Sequence, residues 1–386
     1  MHTMPERRAA GADLLVLGGG VIGLGCAWRA ARAGLDVRVV DAGGTERATE
    51  VAAGMIAPVG EALWGEEALL AAAVESAARW PGFAGELESD AELPVPYRRC
   101  GSLHVGLDRD ETAGLRRLHD LHSELGLEAR WLRGSECRRL EPGLTTAVTG
   151  GYEAPGEAEI DTRVLLVALR AAAEARGVEV REGRAVELLV EDGRCTGARL
   201  ESGEELHAER TLAALGARLG GELLPAEVCP PIRPVKGEVL RLRARPGEAP
   251  CERIIASERV YVVPRASGDV VIGATMEDRG FDLRVTAGGV HELLREAYRA
   301  VPEVAELELL ECRAGLRPTT PDNTPVVGAT AIEGLMLAGG HHRHGIMLAP
   351  VTADAVAAEL SGGEVPACAA ALRPGRFAAR LEGTTA

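Results

Sequence analysis

Residues 13–41 read DLLVLGGGVIGLGCAWRAARAGLDVRVVD. Four apolar residues at 14–17 run into three glycines, the helical period of 24–33 follows, and residues 37–40 form a second short apolar run. That order is strand, glycine turn, helix, strand. The turn has the form Gly18-x-Gly20-x-x-Gly23. Its first glycine permits a tight turn, its second lets a backbone approach a pyrophosphate, and its third lets the helix pack on the strand, so Gly18, Gly20, Val21, Ile22 and Gly23 are candidate phosphate contacts at a helix N-terminus. Asp41 closes the second strand where a carboxylate can accept from a ribose diol. The motif does not distinguish FAD from NAD.

Outward from this unit, helical periods are expected at 66–80, 110–125 and 163–176, the last closed by Gly177. Alternating strands are expected at 178–180, 186–190, 196–200 and 210–215, with Asp192-Gly193 and Ser202-Gly203 as turns. A second β-rich region spans 232–276, with a hairpin turning at Ser267-Gly268-Asp269. A short strand at 335–337 and a helix over 345–360 form another strand-turn-helix unit. No internal repeat or long linker separates these regions, so the domains are expected to interleave.

The chain has 386 residues, enough for two or three domains, and 46% of them are hydrophobic, which suits a buried core. Its formal net charge of −15 disfavours nucleic acid and anionic membranes as partners. The basic residues are arginine except for Lys236. Eight cysteines at 26, 100, 137, 195, 229, 251, 312 and 368 form no C-x-x-C pair, the pattern of reduced thiols in a cytoplasmic protein. The apolar run at 14–17 is too short for a secretory signal, and residues ahead of it, including Arg7-Arg8, read as a disordered leader.

TERATEVAAGMIAP at 45–58, GLRPTTPDNTPVVG at 315–328 and GHHRHGIMLAPVTA at 340–353 together resemble the glycine oxidase branch of the D-amino-acid oxidase family. The likeness extends to GEAEIDTRVLLVAL at 156–169, PVKGEVL at 234–240, VYVVPR at 260–265 and VIGATMED at 271–278. It implies an α/β protein in which a Rossmann-like FAD-binding domain (residues 1–85, 145–217 and 312–386) interleaves with an α+β substrate domain on a large mixed or antiparallel sheet (86–144 and 218–311). It implies that Arg47, Ala48 and Thr49 line the pyrophosphate and that Ala52, Ala53 and Gly54 let backbone amides approach the isoalloxazine. Val186 would hold the adenine through backbone groups, with Ala42, Met55 and Gly216 also contacting the cofactor.

The same resemblance puts His341, His342, Arg343, His344, Gly345, Ile346 and Met347 beside the flavin pyrimidine, where a helix N-terminus favours negative charge. Three imidazoles within four residues invite a metal reading, which the resemblance displaces. His342 and His344 depart from the aromatic residue and Asn that the family carries there, which bears on substrate preference and flavin tuning. Arg317 corresponds to a guanidinium that clamps a substrate carboxylate through two parallel hydrogen bonds. Arg343, Tyr261 and Met276 fall at positions for a second cation, a carboxylate-binding hydroxyl and an apolar wall. Gly315 stands where neighbouring sarcosine oxidases attach flavin through Cys, so the FAD is expected to be non-covalent.

The activity implied is FAD-dependent oxidative deamination of glycine and small amines to oxo acid, ammonia and hydrogen peroxide, serving the thiazole branch of thiamine synthesis. Its partners would be a small amino acid or amine and dioxygen, with homo-oligomer formation left open. The alternatives are a D-amino-acid or sarcosine-type oxidase, an FAD dehydrogenase with a quinone or protein acceptor at a membrane, and a non-catalytic flavin-binding module.

Overall fold

The computed structural model describes residues 11–44 and 47–377. The expected leader, Thr45, Glu46 and the last nine residues lie outside them. The opening motif folds as read: strand Ala12–Leu17, helix Val21–Arg32 and strand Val37–Asp41, with the two strands parallel. Strand Glu179–Glu182 adds beside Val37–Asp41, and Glu205–Ala213 adds on the other flank of the first strand, followed by Leu335–Gly339, all parallel. An antiparallel meander, Ala185–Glu191 and Arg194–Leu200, joins the outer half of Glu205–Ala213. Its hairpin turns on Asp192 and Gly193, both at positive φ, as a tight two-residue turn requires.

Four helices cover one face of this sheet: Val21–Arg32, Glu67–Ala91, Thr162–Ala175 and Ala349–Ser361. Trp28 of the first and Trp80 and Phe83 of the second meet edge to face, with ring centroids 5.0 and 5.3 Å apart. The expected end of the second of these helices at residue 80 is corrected. Pro81 lies inside it, and the helix continues because Trp80, Phe83 and Leu87 carry one buried stripe across the proline, offsetting a cost of ~3 kcal/mol for an interior proline.

The second sheet runs in the order Glu308–Thr319, Arg233–Arg243, Asp269–Gly273, Tyr261–Pro264, Ile254–Ala256, Ser102–Gly106, Gly150–Ala154, Arg130–Arg133. It is antiparallel except where Ile254–Ala256 meets Ser102–Gly106. The expected hairpin is present, its turn closed by the Arg265 amide donating to the Asp269 carbonyl. Sheet membership departs from the expected boundaries at 145 and 312. Strand Gly150–Ala154 pairs with Ser102–Gly106, and Glu308–Thr319 runs unbroken along Arg233–Arg243, because backbone pairing across the sheet holds both in the second sheet. A small third sheet, Met55–Ile56, Ala158–Ile160 and Tyr97–Arg98, lies between the two large ones in the chain path. One face of the second sheet packs on helix Ala287–Ala300 and its neighbours; the other opens on a cleft shared with the first sheet.

Candidate functional site

The cleft has a volume of about 1620 Å³, larger than the roughly 300–1,000 Å³ that suits a compact small molecule. It runs from the glycine turn and Val186, past the segment 47–55, to Arg317 and Tyr261. The glycines of the turn make room for different things. Gly18 has φ +116°, and a Cβ there would strike the Ala214 carbonyl; a Cβ at Gly23 would strike the Gly18 carbonyl oxygen and lie 3.0 Å from its carbon. Both are imposed by backbone meeting backbone. At Gly20 a Cβ would meet only Thr49 Oγ1, at 3.5 Å, so its open space belongs to the cleft. The helix that follows has no side-chain cap and no acid in its first turn, leaving a positive helix end for an anionic group. Thr49 Oγ1 accepts from the Val21 amide at 3.2 Å.

Asp41 and Arg47 form an ion pair beside the turn. Val186 is 49% exposed on the cleft wall next to Gly183 and Ala185, and Gly216, at φ +56°, lines it after strand Glu205–Ala213.

The backbone at 50–54 is gripped from behind. The Glu50 carbonyl accepts from Arg163 Nε (3.3 Å) and Arg241 Nη2 (3.2 Å), and the Ala52 carbonyl accepts from Thr162 Oγ1 (3.1 Å). The Ala53 carbonyl accepts from Arg265, itself ion-paired with buried Glu159, and the Gly54 carbonyl from the Ile160 amide at 2.9 Å. Carbonyls so engaged leave the small side chains of Ala52 and Ala53 on the cleft wall. Gly54 is a glycine for a further reason: it has φ +75°, and a Cβ would strike the Ile160 carbonyl.

At the other end, Arg317 lies across the second sheet. Its Nη1 donates to the Thr275 carbonyl at 3.1 Å and the Lys236 carbonyl at 3.5 Å. Among the described residues no carboxylate reaches ion-pair distance of it, whereas Arg343 Nε sits 2.5 Å from Glu61 Oε2. The two candidate cations are therefore unequal: one charge is neutralised and the other faces the cleft unopposed. Tyr261 lies beside Arg317; burial pushes its phenol up while the guanidinium pulls the other way. Met276 is 63% exposed at the rim.

The three imidazoles of 341–344 point to three partners rather than one centre. His341 Nε2 meets Thr352 Oγ1 at 3.0 Å, His342 Nδ1 meets Thr319 Oγ1 at 2.7 Å, and His344 Nε2 meets Glu61 Oε2 at 3.2 Å. Burial takes His341 and His342 down to about 3, with Arg317 adding to the effect at His342, so both are neutral at physiological pH. Burial would raise Glu61, but Arg343 and His344 outweigh it and hold the carboxyl at about 2. The helix expected from 345 begins instead at Ala349, with Pro350 in its first turn. Residues 342–348 form tight turns, among them Leu348 N–H to the His344 carbonyl at 2.8 Å; proline is well suited to a first helical turn.

Glu61, Arg265 and Gly237 escaped the sequence reading. No local pattern marks Glu61 as the partner of Arg343, and Arg265 was visible only as part of VYVVPR. No cysteine is among the cleft-lining residues described. Cys312 is three positions from Gly315 on one strand, hence on the opposite face. Gly315 lines the cleft, while Cys312 packs into the core beneath.

A family model described as FAD dependent oxidoreductase matches residues 13–359. The bifunctional protein ThiO/ThiG of Trichormus variabilis is 36% identical over 348 residues, covering 89% of this chain and 52% of the relative. The chain thus spans about half the length of that relative. Glycine oxidase of Geobacillus kaustophilus is 31% identical over 354 residues, covering 89% of this chain and 92% of the relative. The crystal structure of glycine oxidase from Bacillus cereus superposes with a TM-score of 0.85 at 28% identity, covering 92% of this chain and 96% of that one.

Proposed function

The chain belongs to the family of FAD-dependent oxidoreductases, and on that premise we propose that it oxidises glycine and related small amino acids to the oxo acid, ammonia and hydrogen peroxide. The observation that carries this reading is Arg317, a guanidinium with no carboxylate partner among the described residues, on the cleft face beside Tyr261. A substrate carboxylate supplies the missing charge, and the planar fork can hold both of its oxygens.

The residues present fit FAD bound without a covalent link. Gly20 and the end of helix Val21–Arg32 would receive the pyrophosphate, Asp41 the ribose, Val186 the adenine side, and the small residues at 52–54 the ring. FAD supplies a two-electron acceptor for hydride. The chain's own part is positioning: Arg317 and Tyr261 hold the carboxylate, and thereby aim the Cα hydrogen. The substrate amine must be neutral for its lone pair to assist that departure, leaving an imine that water hydrolyses. Dioxygen takes up the electron pair to give peroxide.

The likeness to ThiO/ThiG supports a place in the thiazole branch of thiamine synthesis. The proposed setting is the cytoplasm, supported by eight free thiols; among the described residues no helix is long and apolar enough to cross a membrane. The test is a panel of glycine, sarcosine and D-amino acids with peroxide readout, paired with anaerobic bleaching of the flavin band. Glycine should bleach the band and yield peroxide stoichiometrically. Rapid dye reduction with little peroxide would replace the oxidase with a dehydrogenase, and a stronger response to D-amino acids would replace the substrate.

A further inference from the structure

Three glycines share the cleft face of the second sheet: Gly237, its cross-strand partner Gly315, and Gly273, which pairs with both Val239 and Tyr261. At each of them a Cβ would crowd or strike a neighbour, and the tenant differs from one to the next. At Gly315 the tenant is Val51, 3.0 Å from the Cβ position, in the segment that carries the cofactor-facing backbone. At Gly273 it is Tyr261, whose ring carbon Cζ would be 2.7 Å away. At Gly237 it is Arg317, with Nη2 at 2.5 Å and Cζ at 2.6 Å.

Gly237 does not have the positive φ that would require glycine for backbone reasons, and no backbone atom is among the nearest neighbours of its Cβ position. The three atoms nearest that position all belong to the Arg317 guanidinium. Arg317 starts opposite Val235 and leans along the sheet until it lies over Gly237. Its Nη1 is held there by the Lys236 and Thr275 carbonyls.

We propose that Gly237 is the positioning residue that sets carboxylate recognition: its bare backbone is the seat in which the Arg317 guanidinium lies flat, level with Tyr261 over Gly273. The proposal deepens the carboxylate-clamp reading above and rests on it. A methyl group at 237 lifts the fork off the sheet, and because the obstructed atoms are the far end of a flexible side chain, the fold can absorb the change. The damage then falls on the clamp. A displacement of this size costs on the order of 10- to 100-fold in kcat/KM where it misaligns the reacting substrate.

The test compares the FAD-loaded parent with Gly237→Ala, Arg317→Lys and the double variant. It measures acetate affinity by perturbation of the flavin spectrum, glycine kinetics, and turnover of glycinamide, which lacks the carboxylate charge. Gly237→Ala should weaken acetate binding and raise the glycine KM by about tenfold or more, while glycinamide turnover, FAD content and Tm change little. The double variant should lose no more than Arg317→Lys alone, since both changes act on one group. If acetate affinity falls in Arg317→Lys but not in Gly237→Ala, or if the two losses multiply, the proposal is overturned while the clamp stands. If Arg317→Lys itself binds acetate like the parent, the clamp reading falls and the proposal with it. Should Gly237→Ala fail to fold, Gly237→Ala/Arg317→Ala decides: recovery of a folded flavoprotein supports the guanidinium as the tenant, and continued misfolding overturns it.

Discussion

Arginine 317 and arginine 343 carry the same charge into one cleft, yet they differ in what surrounds them. Glu61 neutralises Arg343 at 2.5 Å, while Arg317 donates to carbonyls, lies beside the Tyr261 phenol and has no carboxylate at ion-pair distance among the described residues. Replacing Arg317 by Lys keeps a cation but loses the fork. A change of this kind costs roughly 2 to 5 kcal/mol, so kcat/KM for glycine should fall by about 30-fold or more, with the FAD content retained. Stopped-flow flavin reduction checks this, and a change within about twofold would remove Arg317 from the clamp. Asp41 makes a separate case. It pairs with Arg47 beside the turn, and Asp41→Ala should weaken FAD by about 1.5 to 3 kcal/mol through loss of charge-assisted bonds. Titration of apoprotein with FAD measures it; an unchanged affinity would exclude a ribose contact.

Among elements, the glycine turn separates folding from binding. A Cβ at Gly23 meets backbone, whereas a Cβ at Gly20 meets open cleft and one hydroxyl. Gly23→Ala should therefore lower Tm and yield little folded protein, because helix Val21–Arg32 cannot settle on its strand. Gly20→Ala should fold with near-parental Tm and bind FAD at least tenfold more weakly, since its methyl occupies the phosphate's approach. Equal FAD affinity in Gly20→Ala and the parent would show that the anion does not sit there. The other cleft-lining element, residues 50–54, owes its placement to donors on distant elements: Arg163, Arg241, Arg265 and Thr162. Its small residues are visible in the sequence; what fixes their backbone is not.

For the whole molecule, buried imidazoles govern the response to acid. Burial lowers His104 to about 4 and His341 and His342 to about 3, all below the ordinary 6.5. Between 6.5 and those values the unfolded chain binds more protons than the folded one, so stability falls as pH drops below 6.5. Glu157 opposes them: burial raises it to about 7 from 4.5, so its favourable contribution is lost as pH rises through that interval. These three imidazoles, joined by His122, which burial also lowers, outnumber one carboxyl and give net acid lability between pH 6.5 and 4.5, each proton amounting to about 1.4 kcal/mol per pH unit at most. Apoprotein Tm should decline over that range, less steeply in His342→Phe and more steeply in Glu157→Gln. Thermal melts across the interval test it, and a parental profile that stays flat or rises toward acid would show that the imidazoles do not outweigh Glu157.

The βαβ opening, the hairpin at Ser267-Gly268-Asp269 and the dinucleotide turn were legible in the chain because they rest on neighbours in sequence: periodicity, turn glycines and a helix end. Arg317 was legible only through GLRP and its likeness to a family, since one arginine among so many carries no local mark. The sequence by itself thus determined the nucleotide unit and pointed to the clamp. Tertiary structure alone decided which of Arg317 and Arg343 is ion-paired, which sheet owns Gly150–Ala154 and Glu308–Thr319, and that the guanidinium of Arg317 lies over Gly237. Those depend on which strands lie side by side, and that is settled by burial and backbone pairing between segments far apart in the chain, where no short window of residues holds the information.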